Sequence, residues 1–78
     1  MMMPLDTVAT IGREVAAEYN SRLDVIGVAS GGGDSGRVEL LVEVQRSGNP
    51  SVVMLNVTRE ERGAFERDLR EKFRDALR

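Results

Sequence analysis

The sequence predicts a small α+β domain with the element order α-β-β-β-α: a three-stranded antiparallel sheet in order 1-2-3, with both helices packed on one face. Three observations lead there. Apolar residues recur every three or four positions over Leu5–Tyr19 and again over Phe65–Leu77, the spacing of a helix with one buried stripe. Between them, Arg37–Arg46 alternates apolar and polar residues, the period of a half-buried strand. Two clusters of turn formers, Gly31–Gly36 and Ser47–Pro50, separate the three strand-like segments at hairpin lengths.

In the first helix the stripe is Leu5, Val8, Ile11, Val15 and Tyr19. Pro4 suits the first helical position, and Asp6 favours the positive end of the helix dipole. Gly12 weakens the helix slightly, and Asn20-Ser21 is expected to end it. Leu23–Ser30, LDVIGVAS, reads as the first strand, with Gly27 its weak point. With all of Gly31–Gly36 in the loop, Ser30 faces Arg37, Gly27 faces Leu40, Val25 faces Val42 and Leu23 faces Val44; a bulge next to so glycine-rich a loop would alter this register.

In the second strand Val38, Leu40, Val42 and Val44 share one face; Arg37, Glu39, Glu43 and Gln45 share the other, with Leu41 out of pattern among them. Ser51–Thr58 is rich in β-branched residues and suits the third strand. Taking Ser47–Pro50 as the loop sets Arg46 opposite Ser51, Val44 opposite Val53, Val42 opposite Leu55 and Leu40 opposite Val57. A two-residue loop at Gly48-Asn49 gives the same register, but Pro50 has no N–H to close such a turn, which favours the longer loop. A slip by one residue would turn the apolar set outward, so the faces are strongly specified. Thr58-Arg59-Glu60-Glu61 has the form of a capping box for the last helix. That helix carries Phe65, Leu69, Phe73, Ala76 and Leu77 as its stripe. Glu66 with Arg70, Arg67 with Glu71 and Asp68 with Lys72 have the spacing of intrahelical ion pairs.

The 78 residues make one domain, with residues 1–4 expected to lie outside its ordered part. A chain of this length buries only about two-thirds of its unfolded surface, so its core has to be economical. There is no cysteine, which fits a reducing, cytoplasmic setting. Met1–Pro4 lacks the form of a signal peptide, and no run is long enough to span a membrane. The net charge of −2 and pI near 5.1 argue against bulk attraction to nucleic acid or anionic membrane. All basic residues but Lys72 are arginine, a bias that suits a GC-rich, bacterial genome.

Candidate chemistry is sparse. The glycine-rich stretch runs into a strand, not into a helix N-terminus, and lacks the Lys-Ser/Thr of a phosphate-binding loop, so it reads as a hairpin loop. Asp24 and Glu43 face each other on the open side of the sheet, where like charges repel. With no histidine or cysteine, nothing forms a nucleophile–base pair. No enzyme activity, cofactor or metal is expected.

The element order from Asp6 to Leu77 resembles that of the double-stranded-RNA-binding domain, in which both helices pack on one face of the sheet. In that family a lysine cluster at the start of the last helix grips phosphates, and the first hairpin loop carries a histidine. Here the helix begins Thr58-Arg59-Glu60-Glu61-Arg62 and the loop holds Asp34. The resemblance therefore implies the fold without the RNA contacts.

The open sheet face supplies the functional lead. Ile26, Val28, Leu41, Val52 and Met54 are expected to form an apolar patch there, framed by Asp24, Glu39, Glu43, Gln45 and Thr58, as interfaces commonly are. The expectation is a small protein-interaction or structural module that forms a homodimer, or binds a protein partner, through that face, with a dimer through the uncovered edge of strand 1 or strand 3 as the alternative. The second reading is nucleic-acid binding by Arg59, Arg62, Arg67, Arg70 and Arg74, although residues 59–78 carry seven basic and six acidic side chains.

Overall fold

A computed structural model describes residues 2–30 and 36–78. Helix α1 (Leu5–Tyr19), strands β1 (Leu23–Ser30), β2 (Arg37–Arg46) and β3 (Asn49–Thr58) and helix α2 (Arg62–Ala76) follow in that order. The sheet is antiparallel with strand order β1-β2-β3, as the sequence predicts. The glycine-rich loop falls outside the described residues except for Gly36.

The core lies between the two helices and one face of the sheet. Val8, Ile11, Val15 and Ala16 of α1 meet Leu23 and Val25 of β1, Val38, Leu40, Val42 and Val44 of β2, Leu55 and Val57 of β3, and Phe65, Leu69 and Phe73 of α2. Met3, ahead of α1, is buried with them, and its N–H donates to the Arg59 C=O at 2.9 Å. Met3 is thereby tied to the fold. At Gly12 α1 comes close to the sheet: a Cβ there would sit 3.1 Å from Leu40 Cδ2. Its helix-weakening backbone is the condition for that contact. Tyr19 and Phe73 join the helices at their far ends, with ring centroids 5.9 Å apart.

Both helix boundaries have local causes. Pro4 is the N-cap of α1, where its missing N–H costs nothing. After Tyr19 the chain turns on Asn20, whose Oδ1 accepts from Arg22 N–H at 2.9 Å. At α2 the capping-box expectation fails. Thr58 is absorbed as the last residue of β3, pairing with Arg37, and Glu61 is the N-cap without a side-chain bond. Asp68 does not turn toward Lys72. Its carboxylate accepts the Thr58 N–H at 3.0 Å and lies 3.9 Å from Arg37 Nη1, fastening α2 to the end of the sheet. At the other end of α2, the Arg46 guanidinium donates to the Ala76 and Arg78 carbonyls, where a cation also complements the helix dipole.

The registers differ from expectation in two ways. Between β2 and β3 the observed pairs are Arg46↔Asn49, Val44↔Ser51, Val42↔Val53, Leu40↔Leu55 and Val38↔Val57, a slip of two residues that leaves every side chain on its expected face. The loop is Ser47-Gly48 alone, with φ of 46° and 83°, the paired positive values of a type I′ turn. Proline does not prevent this. The pair closing such a turn exchanges both backbone bonds, so the next pair, Gln45 and Pro50, exchanges none, and the absent N–H of Pro50 would have pointed away from β2. Gln45 N–H accordingly donates to Arg22 C=O across β1. Ser47 is a poor residue for its positive φ, whereas asparagine tolerates that region. Ser47→Asn is therefore expected to raise stability by roughly 0.5–1 kcal/mol in urea unfolding.

Between β1 and β2 the expected register holds from Leu23↔Val44 to Val25↔Val42 and then shifts: Gly27 faces Leu41, Val28 faces Leu40 and Ser30 faces Val38. Ile26 is the extra residue of a β-bulge, so that Ile26 and Gly27 together oppose one residue of β2. The expected pairs Gly27–Leu40 and Ser30–Arg37 are replaced. Glycine suits the site because Leu41 lies over it, its Cδ1 only 3.3 Å from where a Cβ would be.

Candidate interaction surface

The face of the sheet turned away from the helices is built row by row from these registers. Asp24, Glu43 and Val52 form one row; Gly27, Leu41 and Met54 the next; Ala29, Glu39 and Asn56 the third. Ile26, thrown out by the bulge, stands between the first two. The structure thus brings together four of the five residues expected in the apolar patch: Ile26, Leu41, Val52 and Met54. Val28 is a correction. The bulge flips every β1 residue beyond it, so Val28 pairs with core-facing Leu40 and packs against the buried cluster.

The three outermost side chains are largely in solvent: Met54 is 60 %, Val52 56 % and Ile26 49 % exposed. Leu41 is half-buried, sheltered by Gly27 beneath it and Met54 beside it. Charge is unevenly distributed around them. Asp24, Glu39 and Glu43 all lie on β1 and β2, with Asp24 and Glu43 directly paired as expected. Gln45 Nε2 donates to Glu43 Oε1 at 2.9 Å. Strand β3, NPSVVMLNVT, carries no charged side chain. The apolar surface is therefore displaced toward the β3 edge.

Elsewhere the surface offers less. A shallow groove between α1 and the start of α2 is lined by Asp6, Thr7, Thr10, Ile11, Glu14 and Arg62, and in it the Thr10 hydroxyl donates to the Asp6 backbone C=O at 3.0 Å. Among the described residues no group of acidic side chains is placed to hold a metal ion, and no helix is long and apolar enough to cross a membrane. The arginines of the second reading are interleaved with carboxylates. Arg62 and Arg70 both meet Glu66, at 3.2 and 3.9 Å, and Arg74 meets Asp75 at 3.8 Å. Arg59 lies ahead of α2, held through its backbone to Gly36 and Met3, and Arg67 is exposed on the helix.

No protein-family model, curated protein or solved structure matches the chain.

Proposed function

We propose that the chain is a small protein-interaction module that self-associates through the β3 side of its open sheet face, with Val52 and Met54 at the centre of the contact and Leu41 and Ile26 on its flank. The observation that carries this reading is the exposure of Met54, Val52 and Ile26 on one face, opposite a face already committed to the core. Large apolar side chains converging on one solvated surface are costly to leave in water, and a second protein surface relieves that cost. The charge pattern says where such a contact centres. Overlaying two copies on β1 and β2 would set Asp24, Glu39 and Glu43 against their own kind, whereas the uncharged β3 side meets no such repulsion. Nucleic-acid binding through the α2 arginines has weaker support, because Glu66 and Asp75 already neutralise much of that face.

Dilution followed by NMR tests the proposal. The amide shifts of Leu41, Val52 and Met54 are expected to move together between millimolar and micromolar concentration, while those of Glu14, Ala17 and Glu18 on the outer face of α1 stay fixed. Shifts independent of concentration across the whole sheet would contradict it.

A further inference from the structure

The two edges of the sheet are not equivalent. On β1, the Val25 C=O accepts from Arg13 Nε at 3.4 Å and the bulge at Ile26 distorts the strand; both are ways in which an edge is blunted against further pairing. Strand β3 has no bulge and no charged side chain. Its backbone alternates. The closing pair Arg46–Asn49 directs Asn49, Ser51, Val53, Leu55 and Val57 toward β2, so Pro50, Val52, Met54, Asn56 and Thr58 direct their polar groups outward. Two of the outward groups confirm this by what they bind. Thr58 N–H donates to Asp68, and Asn56 C=O accepts from Arg37 Nη2 at 3.1 Å.

The groups left over between Pro50 and Asn56 form a self-complementary set. The free donors are the N–H groups of Val52, Met54 and Asn56; the free acceptors are the C=O groups of Pro50, Val52 and Met54. Proline has no N–H to give, and the Asn56 C=O that would need it is already held by Arg37. From this juxtaposition we propose that β3 pairs antiparallel with β3 of a second copy about a two-fold axis at Val53, joining the two sheets edge to edge. Val52 of each copy then exchanges both backbone bonds with Met54 of the other, and Asn56 N–H donates to Pro50 C=O. Every free donor finds a free acceptor. Moving the axis to Met54 sets Val52 N–H against the occupied Asn56 C=O; moving it to Val52 leaves the Met54 C=O opposite a proline. Neither alternative closes. The same axis brings the exposed Val52 and Met54 side chains of the two copies together on the open face, and the half-buried Val53 side chains together on the helix side.

This inference rests on the self-association proposed above and specifies its geometry. Cross-linking separates the two, since the chain has no cysteine of its own. At the axis Val53 faces its own counterpart in a non-hydrogen-bonded pair, with Cα atoms about 4.5 Å apart, inside the range a disulfide spans. Val53→Cys is expected to yield a covalent dimer on mild oxidation, with its circular dichroism unchanged. Leu41→Cys is expected not to, because three strand spacings of about 4.8 Å would separate its sulfurs. In the uncross-linked protein, exchange of the Val52, Met54 and Asn56 amides should slow at least tenfold as concentration rises. A dimer that cross-links at Leu41→Cys but not at Val53→Cys, with these amides fast throughout, overturns the edge pairing and leaves self-association standing. A chain that stays monomeric and cross-links at neither site overturns both.

Discussion

Phe65→Ala is expected to remove a large share of the stability of the domain. Phe65 is fully buried at the point where α2 meets α1 and the sheet, with its ring tip 3.9 Å from the Cβ position of Gly12. Truncating a buried phenylalanine costs about 3–5 kcal/mol, part in lost transfer energy and part in the cavity left behind. The neighbours here cannot collapse easily into the space. Gly12 has no side chain to offer, and Leu40 is already in tight contact with it. At roughly 0.05–0.15 kcal/mol per residue, a chain of 78 residues has about 4–12 kcal/mol in all, so that loss is a large share of it. Urea unfolding should show the midpoint falling steeply with the slope unchanged. A loss below about 1 kcal/mol would mean that Phe65 is not at the centre of the core.

The second large effect concerns association and leaves the fold intact. Met54→Glu is expected to weaken self-association at least tenfold, about 1.4 kcal/mol, without lowering the melting temperature of the monomer. Met54 is 60 % exposed and its side chain supports no core residue, so the monomer loses almost nothing. In the paired state two carboxylates would be brought beside the axis in place of two apolar chains, which adds repulsion to the lost burial. Sedimentation velocity of the variant and the parent chain, at matched concentrations and two ionic strengths, separates these contributions: screening should restore part of the loss. Equal association of the two proteins would remove Met54 from the contact.

The fold was legible because its signals are periodic. The stripes of α1 and α2 and the alternation in β2 require no knowledge of tertiary contacts, and they identify the buried face correctly. What periodicity cannot carry is a count. The two-residue slip at the β2–β3 hairpin preserves faces, so the pattern of Val53, Leu55 and Val57 fits either register; the turn itself falls at Ser47-Gly48, where Gly48 takes positive φ freely and Ser47 takes it at some cost. The β1 bulge is the opposite case, since one extra residue at Ile26 turned Val28 from the open face into the core. Gly27 was the available signal, and an isolated glycine in a strand often marks such a site. Thr58 offered a capping motif, but the sheet claimed it first, because pairing with Arg37 and bonding to Asp68 satisfied its backbone four residues before α2 begins.

The candidate surface was legible to the same extent as the faces were. Ile26, Leu41, Val52 and Met54 follow from alternation, and the neutrality of β3 is visible in its letters. The self-complementary edge was not visible there. It depends on Arg37 occupying one particular carbonyl and Asp68 one particular N–H, and those choices are made by side chains reaching around the end of the sheet.

Molecular mass in solution tests the central claim most directly. The 8.6 kDa chain is expected to move toward twice that mass as its concentration rises through the micromolar range, and Met54→Glu to return it to the monomer. A mass of one chain at high micromolar concentration, the same with and without Met54→Glu, would contradict it.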